Sequence, residues 1–221
     1  MDANLRLVIG NKNYSSWSLR PWLLLKHFAI PFSEQSINLA NHDAMLQMQQ
    51  LSPSGQIPVL WANDIAVWDS LAICEWINTY YLDGQAWPIR AHLNALGRSM
   101  SAEMHAGFTL IRRSLPMNCR ARVAIPDMPA ALAEEIVRVE QLWQQALDAS
   151  GGPWLLGSFS IADCMFAPMV LRLQTYELAV DEHLITYCQQ IQRHEAIQAW
   201  LADAYQEVDV IESVEQLYNE Q

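Results

Sequence analysis

The sequence predicts an α/β half followed by an all-α half, and three observations carry that prediction. Short apolar runs at 5–9, 57–61 and 65–68 alternate with helical stretches in the first 83 residues. From residue 91 onward the pattern is helical to the end. Between them "LDGQAWPIRAHL", near 82–93, carries a glycine, a proline and no clear period, the composition of a linker. These features divide the chain into residues 1–83, a linker at 84–90 and residues 91–221.

Leu5-Arg6-Leu7-Val8-Ile9 reads as a buried strand. A helix follows from about 18 to 28, with Ser18 as its N-cap. That start puts Pro21 in the first turn, where its missing N–H has no helical partner to lose. A start at Ser16 would leave Pro21 deeper in the helix and call for a kink. "IPFSEQSINL" is a second strand and "DAMLQMQQL" a short helix whose methionines read as core. Ile57–Trp61 and Ile65–Trp68 flank the turn residues Ala62-Asn63-Asp64, a hairpin signal. Asp69 or Ser70 then caps a helix through Leu71, Ile73, Cys74, Trp76 and Ile77. The order βαβαββα implies a parallel strand pair with antiparallel strands added by the hairpin. In the second half, helices are predicted from about Ala91 to Ser114, from Pro129 to Ser150, through "GSFSIADCMFAPMVLRL", and near 181–192 and 194–205. The acidic tail after Asp203 is expected to cap or drape the helical half.

Composition bounds the function. Of 221 residues, 52% are hydrophobic and 17% charged, a globular balance. No apolar run approaches the roughly 20 residues that span a bilayer. The start MDANLRLVIG lacks the basic and apolar regions of a secretory signal, so a soluble, cytoplasmic protein with no membrane partner is expected. A formal charge of −11 argues against nucleic acid, although a small anion can still be held by local N–H groups. Cys74, Cys119, Cys164 and Cys188 have no metal-site spacing and read as reduced, buried packing residues; no metal is expected.

Four motifs, in order, resemble the cytosolic glutathione transferases over nearly the whole chain. "YSSWSLRPW" resembles the serine motif of the zeta-like classes, usually Ser-Ser-Cys-Ser-x-Arg. Ile57-Pro58-Val59 before a hairpin resembles the loop of the thioredoxin fold whose proline is cis. Asp69-Ser70-Leu71-Ala72-Ile73 resembles the family's acid-Ser-x-Ala-Ile motif, and "SFSIADC" its Ser-x-x-Asp box. The resemblance implies a thioredoxin-like glutathione-binding domain, an all-helical domain forming the second-substrate site, and a homodimer. The dimer expectation also rests on a long helix rich in Met and aromatic residues that would otherwise expose apolar surface.

The resemblance also implies roles. Ser15 would donate a hydrogen bond to the glutathione sulfur and favour its thiolate, with Ser16 beside it; Ser16 and Ser18 also read as plain caps. The backbone of Ile57 would pair with the cysteinyl part of glutathione. Ser70 would take the γ-glutamyl carboxylate and Asp69 the ammonium. His42 and Arg112 are candidates for carboxylate contacts. Trp17, where zeta enzymes usually have Cys, is either packing or a wall of the electrophile site. His105 is either an ordinary interface histidine or a weak acid–base group at that site. Ser160 and Asp163 read as a capping box, with Phe159 a candidate staple.

The implied activity is conjugation of glutathione to a small, soft electrophile. Two alternatives stay open: a maleylacetoacetate-type cis-trans isomerase, and a glutathione-fold binding or regulatory protein without turnover. Trp17 weighs against the isomerase. So does Arg172, about one helical turn before the position of that class's substrate arginine. A thiol-transferase role is disfavoured because the first 73 residues hold no cysteine.

Overall fold

Strand β1 (Leu5–Gly10) lies inside a four-stranded sheet of order β2-β1-β3-β4. The computed structural model describes residues 4–218. Alternation decides the faces: Leu5, Leu7 and Ile9 enter the main core, whereas Val8 joins a smaller cluster on the opposite face. Helix α1 (Ser16–His27) returns the chain so that β2 (Ser33–Ile37) pairs parallel with β1. Helix α2 (Ala44–Leu51) covers the smaller cluster. Strand β3 (Val59–Ala62) runs antiparallel to β1, and the Asn63-Asp64 turn leads to β4 (Ile65–Trp68). Helix α3 (Ser70–Tyr81) closes this half beside α1. The predicted mixed sheet is therefore present.

Helix α2 corrects one expectation. Only Ala44, Met48 and Leu51, at helical spacing, meet the sheet; Met45 and Leu46 are 65% and 61% exposed. A short helix lying on a sheet has one stripe to bury.

The second half holds α4 (Ala91–Ala106), α5 (Thr109–Ser114), α6 (Ala130–Ser150) and α7 (Ile161–Thr175). A 3-10 turn leads into α8 (Ile185–Arg193), followed by α9 (Glu195–Gln206) and a short α10 (Glu212–Glu215). The single helix expected over 91–114 is thus two. Gly107 ends α4, Phe108 takes a left-handed φ of 56°, and the chain restarts. Both new ends find partners. The Glu135 carboxylate of α6 accepts from Leu110 N (3.3 Å) and Ile111 N (2.9 Å). Arg112 donates back to the carbonyls of Met104 and His105. Met100 and Met104 lie in the chain's own core, so they expose no apolar face for a dimer.

Helix α7 is buried along almost its whole length and packs on α1 and α4. Its start is the expected capping box. Asp163 accepts from Leu155 N (3.1 Å) and from both the N–H and hydroxyl of Ser160 (2.9 Å each). Phe159, the candidate staple, stacks on His27 with centroids 3.7 Å apart. One core cluster runs from Leu7 through α1 to Trp143 and Trp200, so α1 belongs to both halves. All four cysteines are buried and unbridged, and burial pushes their thiols up. No helix among the described residues is long and apolar enough to cross a membrane.

The acidic tail does not drape the helical half alone. It returns to the turn between β1 and α1. Glu207 accepts from Lys12 N (2.6 Å) and Asn13 N (3.0 Å), and Glu215 accepts from Tyr14 Oη (2.7 Å).

Candidate active site

The turn from Asn11 to Ser15 carries the chain from β1 into α1, and the helical half grips it. Trp200 Nε1 donates to Lys12 O (2.8 Å), and Asn13 Nδ2 donates to Asn118 Oδ1 (2.8 Å). Helix α1 then starts at Ser16, two residues before the expected start, and runs through Pro21. Ser15 is the N-cap: its hydroxyl accepts from Ser18 N (3.4 Å) and donates to Ser18 Oγ (2.7 Å). Ser18 is not the cap. Its hydroxyl reaches back to accept from Gly10 N (3.2 Å), tying strand to helix.

Beside this turn lies a cleft of about 770 Å³, the size of a small-molecule site. Ser15, Ser16, Trp17, Ile57, Asp69, Ser70 and His105 all line it, drawn from four separate segments. The Ile57–Pro58 bond is cis, and Ile57 stands outside the β1–β3 ladder, which begins at Val59. Asp69 holds a φ of 75° and caps α3, its Oδ1 accepting from Leu71 N (2.9 Å) and Ala72 N (3.2 Å). Its Oδ2 lies 3.1 Å from His105 Nε2. The hydroxyl of Ser70 accepts from Arg20 Nη1 (3.3 Å).

Trp17 lines the cleft. Arg20 lies 4.3 Å and Arg112 4.8 Å from its ring, and His105 meets it edge-on at 5.3 Å. Burial, with Arg112 and Arg172 nearby, lowers Arg20 to about 9, which leaves it charged at neutral pH. Burial also lowers His105, against the opposing pull of Asp69, so the imidazole is neutral at pH 7 and donates from Nε2.

Two candidates are not brought together with the rest. His42 is exposed at the start of α2 and does not line the cleft. Arg112 sits behind Trp17 with its guanidinium on the α4 carbonyls, because the broken helix needs it there. Other residues of the cleft or its surroundings were given no site role in the sequence: Tyr14, Gln56, Met48 and the buried arginine Arg20. Arg20 follows the serines by a helical turn, which was the available signal. Among the described residues, no group of three or more His, Cys, Asp or Glu is placed to hold a metal ion.

Residues 14–79 match the model of the glutathione S-transferase N-terminal domain, and residues 122–203 that of the C-terminal domain. No curated protein sequence matches the chain. Among solved structures, a glutathione transferase homologue from Burkholderia with bound glutathione shares the fold at a TM-score of 0.69 and 19% identity, covering 93% of this chain and 100% of that one. Glutathione transferase Omega 2S from Trametes versicolor, solved with 2,4-dihydroxybenzophenone, gives 0.71 at 15% identity, with 98% and 100% covered. A diazinon-metabolizing glutathione S-transferase from the silkworm Bombyx mori gives 0.71 at 14% identity, with 91% and 96% covered.

Proposed function

Since the chain belongs to the glutathione S-transferase family, we propose that it binds glutathione in the cleft beside α1 and transfers the thiolate to a small, soft electrophile. One observation carries the reading: Ser15, Ser16, Ile57, Asp69 and Ser70, distant in sequence, line one cavity. In this reading Ser70 and the N-terminal end of α3 take the γ-glutamyl carboxylate, and Asp69 takes the ammonium. The free backbone of Ile57 pairs with the cysteinyl unit. That pairing sets the sulfur toward the start of α1, where Ser15 and Ser16 offer hydroxyls. A hydrogen bond to a charged acceptor contributes about 1.5–3 kcal/mol, enough to bring a thiol of pKa ~8.5 close to neutrality.

The wall of Trp17 and His105 faces the space left for the electrophile. Neither His42 nor Arg112 is given a glutathione contact in this reading. The isomerase alternative is weakened because the guanidinium of Arg172 is engaged with Leu115 O, Pro168 O and Ser16. The reading extends to a homodimer in a reducing, cytoplasmic compartment. Its supports are the family layout, exposed Ile65 and Trp68 on the edge strand, and four unbridged thiols.

The test is glutathione added to the folded protein, followed by turnover with a panel of electrophiles that includes maleylacetone. Glutathione is expected to raise the melting temperature with concentration, by mass action on the native state. Conjugation of at least one simple electrophile should follow. Binding without turnover on the whole panel would instead favour the binding-protein alternative.

A further inference from the structure

A serine hydroxyl has one proton to give and two lone pairs to receive. Applied to the three serines of the turn, this separates their roles. Ser15 receives from Ser18 N and gives its proton to Ser18 Oγ (2.7 Å), so the cap engages both functions. Ser18 receives from Gly10 N and from Ser15 and is fully buried. Ser16 differs. It receives from Arg172 Nη2 (3.1 Å), lines the cleft, and its proton has no acceptor among the described residues.

Arg172 is itself unusual. It is 4% exposed, and its three bonds go to Leu115 O (2.8 Å), Pro168 O (3.2 Å) and Ser16, none to a carboxylate. Burial lowers it only to about 10, so it remains a cation. The charged groups around it and Ser16 are Arg112 of α5 and Arg20 of α1. Cys119, whose thiol burial pushes up to about 12, and Tyr176 are its neighbours on the anionic side. Asp69, a carboxylate lining the cleft, caps α3 and faces His105. A buried cation whose hydrogen bonds reach no carboxylate is costly to hold. An anion placed against Ser16 would supply a counter-ion. The same arrangement recurs across the cleft, where buried Arg20 backs Ser70.

We propose that Ser16, polarised and held by Arg172, is the hydroxyl that donates to the glutathione thiolate, and that Ser15 is the helix cap that presents it. This rests on the glutathione transferase reading above. Ser16 is the catalytic residue here, since it touches the sulfur. Arg172 is a positioning residue: its bond to Ser16 Oγ leaves the serine proton directed at the cleft and draws electron density from the oxygen. No proton leaves the serine, and the thiol proton goes to solvent.

The experiment is the absorbance of the bound glutathione thiolate against pH, on the wild type and on Ser15→Ala, Ser16→Ala, Arg172→Lys and Arg172→Met, after calorimetry has established binding. Ser16→Ala is expected to cut the thiolate fraction near pH 7 roughly 10- to 100-fold while glutathione affinity holds. Arg172→Met should move the curve the same way, and Arg172→Lys, which keeps a cation but not the fork, should fall between. In the Ser16→Ala background the Arg172 substitutions should add little. Ser15→Ala should move the curve less than Ser16→Ala does, and lower the melting temperature as a lost cap would. If Arg172→Met fails to fold, the Lys variant and the Ser16→Ala curve decide. A shift with Ser15→Ala alone overturns the assignment while leaving the transferase reading intact, as does a Ser16→Ala curve that matches the wild type. Glutathione that fails to bind the wild type removes both.

Discussion

Two helices of this chain start on a serine and an aspartate, and the two starts do opposite things. At α7, Asp163 is 0% exposed and directs both oxygens into its own fold, to Leu155 and Ser160. At α3, the Asp69 side chain is 40% exposed; one oxygen caps the helix and the other faces His105 across the cleft. Ser160 gives its proton to Asp163, whereas Ser70 receives from Arg20 and its own proton has no acceptor among the described residues. Helix-start chemistry is the same in both. What separates the two starts is whether the motif's remaining hydrogen-bonding capacity meets protein or open cleft.

The largest effect should come from the sealed start. Asp163→Ala strands Leu155 N and Ser160 N in the core, at about 1–3 kcal/mol each, so a loss of roughly 3 kcal/mol in denaturant melts is expected. The protein that remains folded should bind glutathione with unchanged affinity. A weakened affinity in that fraction would mean the two starts are coupled.

Next comes the open start. Ser70→Ala removes the group proposed to hold the γ-glutamyl carboxylate, and calorimetry should read a Kd raised roughly 10- to 100-fold; it also strands a buried Arg20 N–H, so a stability loss of about 1–2 kcal/mol, smaller than that of Asp163→Ala, is expected. Equal binding by both proteins would make Ser70 as structural as Ser160 and would end the contrast.

The smallest effect is a pH dependence at the edge of the α7 start. Phe159, which precedes Ser160, stacks on His27 and His194. His194 Nδ1 accepts from Ala196 N, so its Nε2–H donates to His27 Nδ1 at 2.8 Å, an arrangement that needs both rings neutral. Burial, then His194, lowers His27 from 6.5 to about 4. The unfolded chain therefore binds more protons than the native one between pH 4 and 6.5, and this contribution to stability falls as pH drops through that window. Asp163 works the other way there, since burial raises its carboxyl to about 6. The reading is thus a difference: melting temperature of the wild type minus that of His27→Gln should decline from pH 6.5 towards 4. A flat difference would place the acid sensitivity elsewhere.

What the sequence made legible follows from distance along the chain. The Asp69-Ser70 start, the hairpin turn and the Ser160–Asp163 box are each written within four residues, and each is where it was expected. The break between α4 and α5 was not readable. Gly107 alone is tolerated in a helix, and the restart depends on Glu135 from another helix. Nor was the start of α1, because the bond from Gly10 N that draws Ser18 inward is a tertiary contact. The arginine behind Ser16 lies 156 residues away, and no local pattern signals which guanidinium will lack a carboxylate. Arg112, by contrast, looked available in the sequence and is engaged by the very helix break that went unread.

The clamp of Glu207 on Lys12 and Asn13 has a consequence in time. A chain is made from its N-terminus, and its first half can collapse before the rest has appeared. The sheet needs nothing beyond α3 to pair its strands. The serine turn does: the carboxylate that receives Lys12 N arrives 195 residues later, and the one that receives Tyr14 Oη 201 residues later. A nascent or truncated chain can therefore own a finished sheet and an unfinished cleft. The turn is secured only once Glu207 and Glu215 have emerged, so the cleft beside α1 is completed from segments far along the chain.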